Sequence, residues 1–115
     1  MDKQLVVYTR SNHCSDVARV RRDLQSWGIP FREVNIDQDA AAAKRLEEWT
    51  GFQSVPTVLI ADGNSNEPYQ EPAGLSLEQN PRNFDRGCMI SEPATANLRA
   101  FLAHNGFLEP DLAAW

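Results

Sequence analysis

A chain of 115 residues, 42% of them hydrophobic, fits one domain with a core large enough to stand without disulfide staples or a structural metal. The net charge of −5 argues against nucleic acid or an anionic membrane surface as the main partner, although Arg10, Arg19, Arg21 and Arg22 make the field local to residue 14 positive. An apolar run of about 18 residues and a basic-then-apolar amino terminus are both missing, so the expectation is a cytoplasmic chain with no membrane partner.

The first predicted element is an apolar strand at Leu5-Val6-Val7-Tyr8. After Thr9-Arg10-Ser11-Asn12-His13 a helix is expected from about Ser15, with Val17, Val20, Leu24 and Trp27 on one face and a stop at Gly28-Ile29-Pro30. Phe31 to Ile36 reads as a half-buried strand, with Arg32, Val34 and Ile36 on one side. Asp37 or Asp39 then caps a second helix that packs through Ala42, Leu46 and Trp49 and closes at Gly51. Thr57-Val58-Leu59-Ile60 has the uninterrupted apolar character of a central strand, ending at Asp62-Gly63. A long polar insertion over about 62–87 follows, with scattered Tyr69, Leu75, Leu77 and Phe84. Cys88-Met89-Ile90 is predicted as a last strand. A final helix capped by Ser91, with Pro93 in its first turn, buries Leu98, Phe101 and Leu102 before a tail of Phe107, Leu108 and Trp115.

This order predicts an α/β domain over residues 1–115: a βαβ unit followed by ββα, giving a central four-stranded mixed sheet flanked by helices. Cys14 is the residue that points to chemistry. Placed where a strand gives way to a helix, its sulfur meets unpaired backbone N–H groups and the positive end of the helix dipole, which favour thiolate, the reactive form. A free cysteine also packs as a small hydrophobe, so placement alone leaves both roles open. Cys14 and Cys88 form no disulfide framework, and with His13 and His104 they make no close ligand set, so no metal is expected.

In order and spacing, Tyr8-Thr9-Arg10, Cys14-Ser15-Asp16-Val17 and Ser54-Val55-Pro56-Thr57 resemble the glutaredoxins, a family with a thioredoxin-like fold. The resemblance implies Cys14 as the nucleophile of thiol–disulfide exchange and a cis proline at Pro56. It further implies that Val55 offers its backbone to a thiol peptide, that Arg10 holds a carboxylate of glutathione, and that Ser15 and Gly87 lie in the glutathione site. Val17 stands where dithiol members carry their second thiol, which restricts the chemistry to one sulfur. His13 is either an acid or base beside that sulfur or a solvated loop histidine. Asp16 opposes an anionic sulfur, and Arg10 or Arg19 is expected to offset it.

Three functional readings follow. The first is a monomeric monothiol oxidoreductase acting on disulfide-containing protein substrates, with no bound cofactor and with glutathione or another low-molecular-weight thiol as co-substrate. The second is a Cys14–Cys88 couple in which Cys88 is the resolving thiol. The third is a redox-inert binding module of the same fold.

Overall fold

A computed structural model describes residues 3–11, 14–51, 54–63, 65–70, 82–83 and 85–108. In chain order these form β1 (Lys3–Thr9), α1 (Ser15–Ser26), β2 (Arg32–Asn35), α2 (Ala40–Thr50), β3 (Thr57–Asp62), β4 (Met89–Ser91) and α3 (Thr95–His104). One four-stranded sheet runs β2-β1-β3-β4. β1 pairs with β2 in parallel and with β3 antiparallel, and β3 pairs with β4 antiparallel. This is the thioredoxin-like arrangement expected of the sequence.

The pleat of β1 and β3 divides the core in two, because successive side chains point to opposite faces. Leu5, Val7, Val58 and Ile60 cluster with Val20 and Leu24 of α1 and with Leu98, Phe101 and Leu102 of α3. On the other face Val6, Tyr8, Leu59 and Ala61 cluster with Ala42 and Leu46 of α2, and this group also includes Val17 and Val55. Each large aliphatic side chain so enclosed contributes about 1.5–3 kcal/mol relative to exposure.

Local signals set the ends of α2. Asp39 is the N-cap, its carboxylate accepting from the Ala42 N–H at 3.0 Å. Gly51 closes the helix at φ +79, a left-handed conformation that a residue without Cβ adopts freely, and donates to the Glu47 carbonyl. Thr50, not Trp49, is the fully buried end of the packing stripe, since the Thr50 hydroxyl is satisfied by the Leu46 carbonyl at 2.9 Å. Trp49 is half-buried and stands edge-on to Tyr8, with ring centroids 5.6 Å apart.

The start of α3 differs from expectation. Ser91 lies in β4, and Ala94 is the N-cap, with no side-chain cap bond of its own. The Ser91 hydroxyl turns across the sheet to the Thr57 hydroxyl, 2.8 Å away, and the Ala94 N–H donates instead to Asn83 Oδ1 at 2.7 Å. The described parts of the insertion are anchored at both ends. Tyr69 N–H donates to the Ile60 carbonyl and Tyr8 Oη to the Asn66 carbonyl, while the Arg86 guanidinium donates to the Trp49 carbonyl at the end of α2. Phe107 and Leu108 pack back on the core cluster below α3. His13, Leu75, Leu77, Phe84 and Trp115 lie outside the described residues. No helix among the described residues is long and apolar enough to cross a membrane.

Candidate active site

Cys14 is the N-cap of α1, with φ −139 and ψ 121, and its carbonyl accepts the Ala18 N–H at 3.0 Å. The residue is half-buried against the cluster that holds Val17 and Val55, and Ser15 beside it is exposed. The segment leading to it is held to the end of β2. Ile36 N–H donates to the Thr9 carbonyl at 2.9 Å, Ser11 N–H to the Asp37 carboxylate at 2.8 Å, and Asn35 Nδ2 to Ser11 Oγ at 3.2 Å. Arg10, half-buried, follows β1 directly.

The arginines gathered near Cys14 in sequence separate in space. Arg19 pairs with Asp16 at 2.8 Å and donates to the Pro93 carbonyl at 2.9 Å, which ties the first turns of α1 to the chain leaving β4. Arg21 instead binds Glu33 on β2 at 2.6 Å. A second cation comes from the insertion: Arg82 lies 3.5 Å from Asp16 and 3.4 Å from Glu92. The carboxylate two residues after Cys14 is thus balanced by Arg19, as expected, and by Arg82, which sequence reasoning did not find.

The Val55–Pro56 peptide is cis. Thr57 Oγ1 donates to the Ser54 carbonyl at 2.7 Å, and Glu92 N–H donates to the Pro56 carbonyl at 2.6 Å. Between these two pinned carbonyls, the Val55 N–H and C=O have no hydrogen-bond partner among the described residues.

Gly87 and Cys88 do not join this group. Thr57 of β3 pairs with Ser91, so it is the far end of β4, at Ser91-Glu92-Pro93, that meets the start of α1. Cys88 sits level with Ile60, whose partner on β1 is Leu5, at the opposite end of the sheet. Two residues, Met89 and Ile90, lie between it and Ser91, a rise of about 10 Å along the strand away from the end that meets α1. Its thiol is fully buried and donates to the Gln70 carbonyl at 3.4 Å, and burial pushes it above its ordinary range. Gly87, at φ +86, forms the turn into β4 and donates to Asp85. The expected roles of Gly87 in the glutathione site and of Cys88 as a resolving thiol are therefore corrected: the register of β4 on β3 carries both away from Cys14.

An open cavity of about 320 Å³ lies at the other end of β1, lined by Lys3, Leu5, Pro30, Phe31, Arg32 and Phe107. Among the described residues no three His, Cys, Asp or Glu side chains converge as a metal site would require.

With this geometry in place, comparison with known proteins defines the class. The glutaredoxin family model matches residues 5–65, more than half of the chain, and the chain belongs to that family. It is 32% identical over 63 residues to Glutaredoxin-C2 of Arabidopsis thaliana, covering 52% of this chain and 57% of that protein. It is 30% identical over 59 residues to the Glutaredoxin-like protein NrdH of Escherichia coli K12, covering 51% of this chain and 70% of that one. Against Glutaredoxin-C2 and Glutaredoxin-C6 of rice, the chain spans about half of each relative's length, 57% and 52%. A solved structure, the thioredoxin-like protein BC3987, aligns at 27% identity and a TM-score of 0.44 over 54% of this chain and 89% of that chain.

Proposed function

We propose that the protein is a monothiol oxidoreductase of the glutaredoxin type, with Cys14 as its nucleophile. The observation that carries this reading is a half-buried thiol at the N-cap of α1, packed on the same cluster as Val55, whose backbone N–H and C=O have no partner among the described residues. A substrate in extended conformation pairs with that peptide as one strand pairs with another, which brings its sulfur beside Cys14.

The chemistry proceeds in two balanced displacements. The Cys14 thiolate attacks the glutathione sulfur of a protein–glutathione mixed disulfide, forming a Cys14–glutathione disulfide and releasing the protein thiolate, which takes up a proton. A second glutathione, or another low-molecular-weight thiol, then attacks that disulfide as its thiolate, leaving oxidised thiol and free Cys14. The electron pair comes from the second thiol, and no bound cofactor takes part. In this reading Arg10 receives a carboxylate of glutathione, because a guanidinium holds one bidentately. Ser15 lines the site, and the chain works as a monomer in the cytoplasm.

The test is an exchange assay with a glutathionylated protein and excess reduced glutathione, comparing wild type with Cys14→Ser. The expected outcome is loss of essentially all catalysed exchange in the variant. Equal rates would remove Cys14 as the catalyst and leave a redox-inert binding module of the same fold.

A further inference from the structure

The Val55 peptide, whose N–H and C=O have no partner among the described residues, is framed by two carbonyls that are both fixed from the end of β4. Thr57 Oγ1 donates to the Ser54 carbonyl at 2.7 Å and lies 2.8 Å from Ser91 Oγ. A hydroxyl has one proton to give, and that of Thr57 is spent on Ser54. Ser91 must therefore be the donor in the second contact, so a directed chain runs from the Ser91 hydroxyl through Thr57 to the carbonyl that precedes Val55. All three residues are buried, at 2%, 0% and 8% exposure, where water does not substitute for a lost partner. On the other flank, Glu92 donates its N–H to the Pro56 carbonyl from a backbone at φ +46, a left-handed conformation unusual for a residue with a Cβ. Ser91 is itself held from outside, its carbonyl accepting the Asn83 N–H at 2.8 Å.

We propose that Ser91 is a positioning residue for the exchange reaction, fixing through Thr57 the peptide of Val55 at which the substrate backbone docks. The inference rests on the exchange reading of Cys14. Ser91 touches neither the sulfur nor the substrate. It acts by keeping the Val55 N–H and C=O pre-aimed, so that binding does not have to order them. Its loss falls on substrate affinity, while the intrinsic reactivity of Cys14 is untouched.

The experiment compares wild type, Ser91→Ala, Thr57→Val and Thr57→Ser. A short peptide whose one cysteine is in a mixed disulfide with glutathione serves as substrate at saturating reduced glutathione, and iodoacetamide, which needs no backbone docking, reports thiol reactivity. Ser91→Ala and Thr57→Val are expected to raise KM about fivefold, the order set by one buried hydrogen bond. Their kcat and Cys14 alkylation rate stay near wild type. Thr57→Ser, which keeps the hydroxyl, retains a KM near wild type. If Thr57→Val fails to fold, Ser91→Ala against Thr57→Ser still decides. An unchanged KM in Ser91→Ala overturns the proposal, as does a parallel fall in kcat and alkylation rate, the mark of general damage. A wild type that catalyses no exchange at all defeats the reading of Cys14 and the role of Ser91 with it, whereas an active wild type with an unaffected Ser91→Ala defeats only the latter.

Discussion

Val17, three residues after Cys14, is buried at 3% exposure in the cluster below the site, so the position that a C-x-x-C motif would give to a second thiol is spent on packing. The start of α1 therefore carries one sulfur, and in the proposed reaction the surrounding residues supply binding. Arg10 is the residue where this can be measured. A charge-assisted hydrogen bond to a carboxylate is worth about 1.5–3 kcal/mol, so Arg10→Gln is expected to raise KM for a glutathionylated peptide by at least about tenfold with kcat little changed. Steady-state kinetics checks this, and an unaltered KM would place the carboxylate of the substrate elsewhere.

Asp39 gives α2 its start, and the stability of that helix is testable apart from the chemistry. Removing its side-chain acceptor leaves the Ala42 N–H without its cap bond, at a cost of about 1 kcal/mol. Asp39→Ala is thus expected to lower Tm by about 4–8 °C, the shift usual for a domain of about 100 residues. Thermal unfolding followed by circular dichroism reads this, with the exchange rate at 25 °C unaltered. The same helix shows why much of the fold was legible in the sequence. Its cap, its apolar spacing and its closing glycine are all decided within a few residues of one another, as are the stripe of α1 and the apolar run of β3. The place of Cys14 at the start of α1 follows from a short local pattern too, whereas the cis Val55–Pro56 peptide follows only from the resemblance of Ser54-Val55-Pro56-Thr57 to the glutaredoxins. What escaped is decided by partners distant in sequence. Ser91 reads locally as a helix cap, but Thr57 across the sheet claims its hydroxyl. Gly87 and Cys88 read as neighbours of the site until the pairing of Thr57 with Ser91 fixes which end of β4 meets α1. Arg82 reaches Asp16 only once the insertion folds back.

Across the whole molecule the two sulfurs belong to different environments, Cys14 half-buried at one end of the sheet and Cys88 enclosed at the other. Burial raises the Cys88 thiol above its ordinary value of 9.0, so on unfolding it gives up its proton more readily. The stability it contributes is complete below about pH 9 and is lost as pH rises through the folded value. Tm of the wild type should therefore fall more steeply above pH 9 than that of Cys88→Ala, whatever the offset between them at neutral pH, and parallel slopes would contradict the assignment. The most direct test of Cys14 as the nucleophile is to mix the native protein with a glutathionylated peptide, quench with acid before reduced glutathione is added, and map by mass spectrometry which cysteine has acquired glutathione. The expected result is glutathione on Cys14 and none on Cys88. Glutathione on Cys88, or on neither residue, would contradict it.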